Sequence, residues 1–210
     1  MPKEKSIYVC SACGYQAPRW LGCCPDCSAW NTFEEQTLSA AQAVGKTAEK
    51  AARFRMPSTE AMLLRDIDDA KETRVPTGNE ELDRVLGGGL VEGSVTLLGG
   101  DPGVGKSTLL LQVAAELSAS RHVLYVSGEE SIRQIKMRAG RLGVKQDKLY
   151  VLAENGVESI LEKCEAASPD VLVIDSIQTM VSADSASAPG SVSQVRQSAS
   201  AIIRHAKTSG

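Results

Sequence analysis

Two stretches of this chain place residue types at spacings that do chemistry. The first is "GDPGVGKS", Gly100–Ser107. It fits the pattern G-x-x-x-x-G-K-[ST], in which glycines let successive backbone N–H groups curl around a polyphosphate and the following helix adds its positive end. On this pattern Gly100, Asp101, Pro102, Gly103, Val104 and Gly105 form the cradle, Lys106 bridges the β- and γ-phosphates, Ser107 ligates Mg²⁺ and Thr108 touches the α-phosphate. Asp175 ends the apolar run "VLVIDS", where a carboxylate at a strand's carboxyl end orients the Mg²⁺ shell. Glu129 and Glu130, in "YVSGEES", are candidates for the carboxylate that acts on the attacking water, with the other free to cap the next helix. The chemistry this set predicts is nucleoside triphosphate hydrolysis with Mg²⁺.

The second stretch, "CSACGYQAPRWLGCCPDC", holds five of the six cysteines. Where thiols are kept reduced, such a cluster binds metal rather than pairing as disulfides. Cys10 with Cys13 and Cys24 with Cys27 form two C-x-x-C knuckles, each putting two thiolates on one turn as tetrahedral Zn²⁺ requires. Using Cys23 in place of Cys24 leaves a wider, less regular gap to Cys27 and is the alternative set. Zinc would supply what this segment lacks in core, since structural zinc contributes roughly 10–16 kcal/mol in small peptides. Trp20 and Trp30 are read as packing for this miniature fold, and the distant Cys164 as a core thiol sharing a helical face with Ile160.

These residues need elements to hold them, and three zones are visible in the 210 residues. Residues 1–35 form the cysteine-rich ribbon. Residues 36–73, rich in Ala, Lys and Thr, read as a linker with some helical tendency. From 74 to 210 the chain alternates short apolar β-rich runs, "SVTLLGG", "HVLYVSG", "LYVLA" and "DVLVIDSI", with helical stretches such as "STLLLQVAAELSA" and "SIRQIKMRAGRLG". That alternation predicts an α/β fold with a parallel sheet flanked by helices. Thr77 and Glu80 have the spacing of a capping box before a helix stopped at Gly87–Gly89. In "SIRQIKMRAGRLG", Ile132, Ile135, Ala139 and Leu142 give the face for the sheet, while Arg133, Lys136, Arg138 and Arg141 read as a solvated basic face.

A net charge of −3 excludes a global pull toward nucleic acid, so any such contact must be local. No apolar run reaches the roughly 20 residues of a membrane span, and "MPKEKSIYVC" lacks a signal peptide's apolar stretch, so the expected location is cytoplasmic. With four strands, and "AIIRHAKTSG" ending where another strand is due, the sequence reads as a truncated core.

"TGNEELDRVLGGGLVEGSVTLLGGDPGVGKSTLLLQ" resembles the RecA-like recombination ATPases, and "LYVSGEES", "VIDSIQTM" and "SAPGSVSQVRQ" narrow the likeness to the bacterial RadA (Sms) DNA-repair family. "CSACG…PRWLG.CPDC..WNT" is similar to that family's N-terminal zinc finger, and the likeness favours Cys10, Cys13, Cys24 and Cys27 as ligands. It implies a Walker A loop over Gly100–Thr108, a Walker B aspartate at Asp175, a catalytic glutamate at Glu129, a γ-phosphate-sensing role for Ser176 and a DNA-binding loop over Ser182–Ser193. It further implies a nucleoid-associated ATPase of recombinational repair that uses ATP on single-stranded or branched DNA, including branch migration. A homo-hexameric ring and contact with recombinase or replication machinery come with it. The family's Lys-Asn-Arg-Phe-Gly motif and Lon-protease-like domain would lie past Gly210, so weak or absent turnover is expected of this stretch. Asn79 stands where an aliphatic residue is common. KaiC-type signalling ATPases share the "TG..ELD..LGGG" entry but typically lack a cysteine ribbon, which makes them the second reading.

Overall fold

The computed structural model describes residues 5–38, 63–66, 73–144, 148–183 and 190–209. Its first unit is a three-stranded antiparallel sheet: β1 (Lys5–Cys10) lies between β2 (Gln16–Ala17) and β3 (Phe33–Leu38). Cys10, Cys13, Ala17, Cys24 and Phe33 are its buried residues, so the interior consists largely of the cysteines themselves. Pairing of Lys5 with Leu38 carries the ribbon past residue 35.

Trp20 and Trp30 do not pack this interior. They are 51% and 73% exposed, because too few apolar partners surround the knuckles to enclose an indole. Most of the expected linker, 39–62 and 67–72, lies outside the described residues, where Leu64–Asp66 forms a single 3₁₀ turn.

The second unit opens with β4 (Arg74–Val75) and β5 (Leu90–Val91), paired around α1 (Glu80–Val85). The predicted Thr77–Glu80 box is replaced: Asn79 caps α1, its side chain accepting the Leu82 N–H at 3.0 Å, while the Thr77 hydroxyl receives the Asn79 N–H. An Asn side chain ahead of "EEL" caps as well as Ser or Thr does.

Beyond α2 (Lys106–Leu117), three strands form a parallel sheet ordered β7-β6-β8: β6 (Val123–Ser127), β7 (Leu149–Ala153) and β8 (Val171–Asp175). "VLYVS" makes the central strand because it is apolar on both faces and buried along its whole length, as a strand with helices above and below must be. Alternation sends Val123, Tyr125 and Val173 to one face with α2 and α3 (Ile132–Arg141), through Leu111, Ala114, Leu117 and Ile135. Leu124 and Val126 point the other way, to Val157, Ile160 and Cys164 of α4 (Val157–Ala167) and to Met180, with Ala201 and Ile202 of α5 (Val192–Ser209). Cys164 is thus a core thiol, and burial pushes its pKa up.

The fourth expected strand differs. Ser94–Leu98 lies outside every ladder among the described residues, with Val95 46% and Leu97 82% exposed. The apolar run is there, but no described strand stands beside it to accept its hydrogen bonds. What holds the loop that follows is α2, packed on the sheet through Leu111, Ala114 and Leu117. Two further expectations change on α3. Ile132 is exposed, leaving Ile135 as the anchor, and Arg138 turns inward instead of joining a solvated basic face. The two units touch where Arg196 of α5 donates to both carboxylate oxygens of Asp26, at 3.0 and 2.8 Å.

Candidate functional site: a phosphate loop facing a carboxylate cluster

Parallel register decides where the site forms. Val123 aligns with both Leu149 and Val171, so Ser127, Ala153 and Asp175 finish level at the carboxyl ends of the three strands. Gly105 precedes α2 in the left-handed region at φ 96°, a conformation that costs glycine nothing, and brings Lys106 and Ser107 onto the helix's first turn. Ser107 Oγ then donates to Asp175 Oδ1 at 2.8 Å, joining residues 68 apart in the chain. Lys106 Nζ donates to the carbonyls of Gly100 and Asp101 at 2.8 and 2.7 Å. Gly100, Asp101, Pro102, Gly103, Val104 and Gly105 are exposed, with Ser107 and Thr108 partly buried behind them.

Asp175 is 13% exposed and both of its oxygens are occupied. Oδ2 accepts the Tyr125 hydroxyl at 2.6 Å and lies 3.6 Å from Arg138 Nη2. Burial, then the bond to and charge of Asp175, push the Tyr125 pKa well above its ordinary value, so the phenol remains a donor. Arg138, 11% exposed, also donates to the Tyr125 oxygen at 3.1 Å and to Glu130 Oε2 at 2.5 Å.

The two glutamates therefore part company. Glu130 is tied back to α3, whereas Glu129 Oε1 accepts only the Ser176 hydroxyl, at 2.9 Å. Neither caps α3: Ser131 does, in a reciprocal box with Gln134. The Asp175–Ser176 peptide is cis. Gly128 is needed by space alone, since a Cβ there would overlap the Thr179 side chain. Ser107 and Asp175 offer hard oxygen donors of the kind Mg²⁺ takes, beside a ring of backbone donors suited to phosphate.

The second donor set is sulfur. The Sγ atoms of Cys10, Cys13, Cys24 and Cys27 all lie within 4.8 Å of one another, with Cys10 to Cys27 at 3.7 Å and Cys13 to Cys24 at 3.4 Å. Tetrahedral Zn–S bonds of about 2.3 Å put sulfurs about 3.8 Å apart, so the cluster fits a structural Zn²⁺ site. Burial raises the Cys10 pKa, but hydrogen bonds from the Thr32 hydroxyl and the backbone of Cys13 and Ala12 outweigh it and bring the value down to about 6. Cys13 goes the other way, pushed far up by burial. Four sulfurs this close can all be thiolates only with a cation between them. Cys23 stands outside the cluster, its thiol near the carbonyls of Cys24 and Ser28.

The structure thus joins Ser107 to Asp175, joins Glu129 to Ser176 next to it, and folds Lys106 back on its own loop. Tyr125 and Arg138 were not anticipated. The signal for Tyr125 was its position two residues before Ser127, on the same face of β6. That for Arg138 was its place one turn from Ile135, on the buried side of α3. Residues 184–189 of the expected DNA-binding loop lie outside the described residues.

An AAA domain family matches residues 59–209, and a rubredoxin metal binding domain family matches residues 8–35. The chain is 47% identical to the DNA repair protein RadA of Bacillus subtilis and 47% identical to that of Pseudomonas aeruginosa, in both cases over 100% of its length and 46% of theirs. Against the RadA protein of Listeria monocytogenes it is 48% identical over 98% of its length and 44% of the relative's. It therefore spans about half the length of the curated relatives it matches.

Proposed function

Because this chain belongs to the RadA family of DNA repair proteins, we propose that it carries the ATP-hydrolysing centre of a DNA-repair enzyme. The observation that carries this is the 2.8 Å bond from Ser107 to Asp175, which presents two oxygen donors at the end of a phosphate-binding loop. A bound Mg²⁺ would supply charge neutralisation between the phosphates; Ser107 and Asp175 are the residues that would hold it. Lys106 exchanges the Gly100 and Asp101 carbonyls for phosphate oxygens, and the loop N–H groups take the α- and β-phosphates, with Thr108 at the α-phosphate. Glu129, whose partner is a single hydroxyl, orients the attacking water, and Ser176 reports on the γ-phosphate through it.

The acceptor of the work is single-stranded or branched DNA, moved by a homo-hexameric ring during branch migration, in concert with recombinase or replication proteins. Residues 1–35 are assigned to the zinc ribbon, whose strand β3 runs on to Leu38, the residues from there to 73 to the linker and 74–210 to the ATPase domain. Cytoplasmic, nucleoid-associated action follows from that substrate. Among the described residues no helix is long and apolar enough to cross a membrane. The test is ATP turnover by the full-length protein with and without single-stranded DNA. Stimulation by DNA that is lost in Lys106→Ala is expected, and turnover indifferent to DNA would overturn the DNA assignment.

A further inference from the structure

We propose that Tyr125 and Arg138 are positioning residues for the nucleotide site, clamping Asp175 Oδ2 and Glu130 so that Asp175 Oδ1 stays directed at Ser107 and the metal. The inference rests on the ATP-hydrolysing centre proposed above and adds two residues to it.

A carboxylate at a strand end can turn about its terminal torsion and exchange its oxygens. Here it is denied that freedom. Tyr125 is fully buried, so its hydroxyl is a fixed post 2.6 Å from Oδ2. Arg138 holds the post in turn, donating to the same phenol oxygen at 3.1 Å with its guanidinium 5.9 Å from the Tyr125 ring centre. One guanidinium nitrogen, Nη2, reaches Tyr125, Glu130 and Asp175 together, while Nε is buried with no hydrogen-bond partner. A side chain inserted only to anchor α3 would be apolar, since a buried guanidinium with an idle donor is costly. Its placement makes sense as a positive charge set between the carboxylates of Glu130 and Asp175. It engages Glu130 and leaves Glu129 bonded to the Ser176 hydroxyl instead.

The experiment is a titration of nucleotide binding with Mg²⁺, using a fluorescent ATP analogue and the full-length protein, repeated in EDTA. Tyr125→Phe removes one bond to a charged acceptor. It is expected to raise the free Mg²⁺ for half-maximal binding about tenfold, equivalent to about 1.4 kcal/mol. Affinity in EDTA should stay at the wild-type value. Arg138→Gln should shift the titration further, and Arg138→Lys, which keeps the charge, should recover part of the shift. Variants that titrate like the wild type, or that lose affinity equally with and without Mg²⁺, would overturn the positioning role. A wild-type protein whose binding ignores Mg²⁺ would show first that the metal-dependent centre itself is wrong, and the positioning role would fall with it.

Discussion

In the ribbon, three of the five enclosed residues are cysteines, joined by Ala17 and Phe33. The two clusters astride the parallel sheet are built instead from Leu, Val, Ile, Ala, Tyr and Met, with Cys164 the one thiol. Apolar burial at about 25 cal/mol per Å² stabilises the second unit and leaves little for the first, whose sulfurs gain from a metal far more than from being hidden. The consequence is two kinds of cooperativity in one chain: the ribbon should stand or fall with one ion, and the sheet should lose stability by degrees.

The strongest way to break that contrast is to remove zinc. Chelation, or Cys24→Ser, is expected to take away about 10–16 kcal/mol of metal-linked folding energy from the ribbon. Amide exchange should become unprotected across β1–β3 while α2 and β6 keep their protection; joint loss would show that the units fold as one. Next in size, Leu111→Ala opens a hole between α2 and the sheet and should cost about 2–5 kcal/mol in urea unfolding, with zinc content unchanged by metal analysis.

A smaller effect is expected at Glu154, in the turn that leads into α4. Its carboxylate accepts the N–H groups of Gly156 and Asn155, the Ser159 hydroxyl at 2.8 Å and the Lys163 ammonium at 3.0 Å, and its pKa falls from 4.5 to about 2. A carboxyl whose folded pKa is depressed stabilises fully above its unfolded value and loses that stabilisation as pH falls toward the folded one. Glu154→Gln should therefore cost about 1–2 kcal/mol at pH 7, allowing for its partial exposure. The difference should shrink between about pH 5 and pH 2 in thermal melts; a gap that does not depend on pH would remove the charge from the account. Weaker still is the Asp26–Arg196 contact between the units, which is open to solvent. Its coupling in a double-mutant cycle should fade as salt is raised from low to physiological strength. Cys23→Ser should leave one zinc per chain, and loss of the ion would return Cys23 to the ligand set.

Much of this was legible in the residues, for reasons that differ by region. The knuckles are local: turns of four residues place their own thiolates, so the spacing together with the family likeness pointed to Cys10, Cys13, Cys24 and Cys27, the four that cluster in the structure. The phosphate loop is local too, and the parallel strands β6, β7 and β8 announce themselves as short apolar runs. What spacing cannot carry is convergence across the sheet. Register brings Tyr125 level with Val173, two residues from Asp175, and a helix turn brings Arg138 over both, yet the three are distant in sequence and two read as core and surface. The division between Glu129 and Glu130 was hidden for the same reason. Ser94–Leu98 misled in the opposite way: its composition is that of a strand, but a ladder needs a neighbour, and neighbours are not a property of the segment.

That stretch also has a consequence for handling. Val95 and Leu97, 46% and 82% exposed, sit in an apolar run that belongs to no ladder among the described residues. An unpaired apolar run of this kind is one that another strand can join edge to edge. Glu92 and Asp101 stand on either side of it, charges of the sort that oppose such pairing.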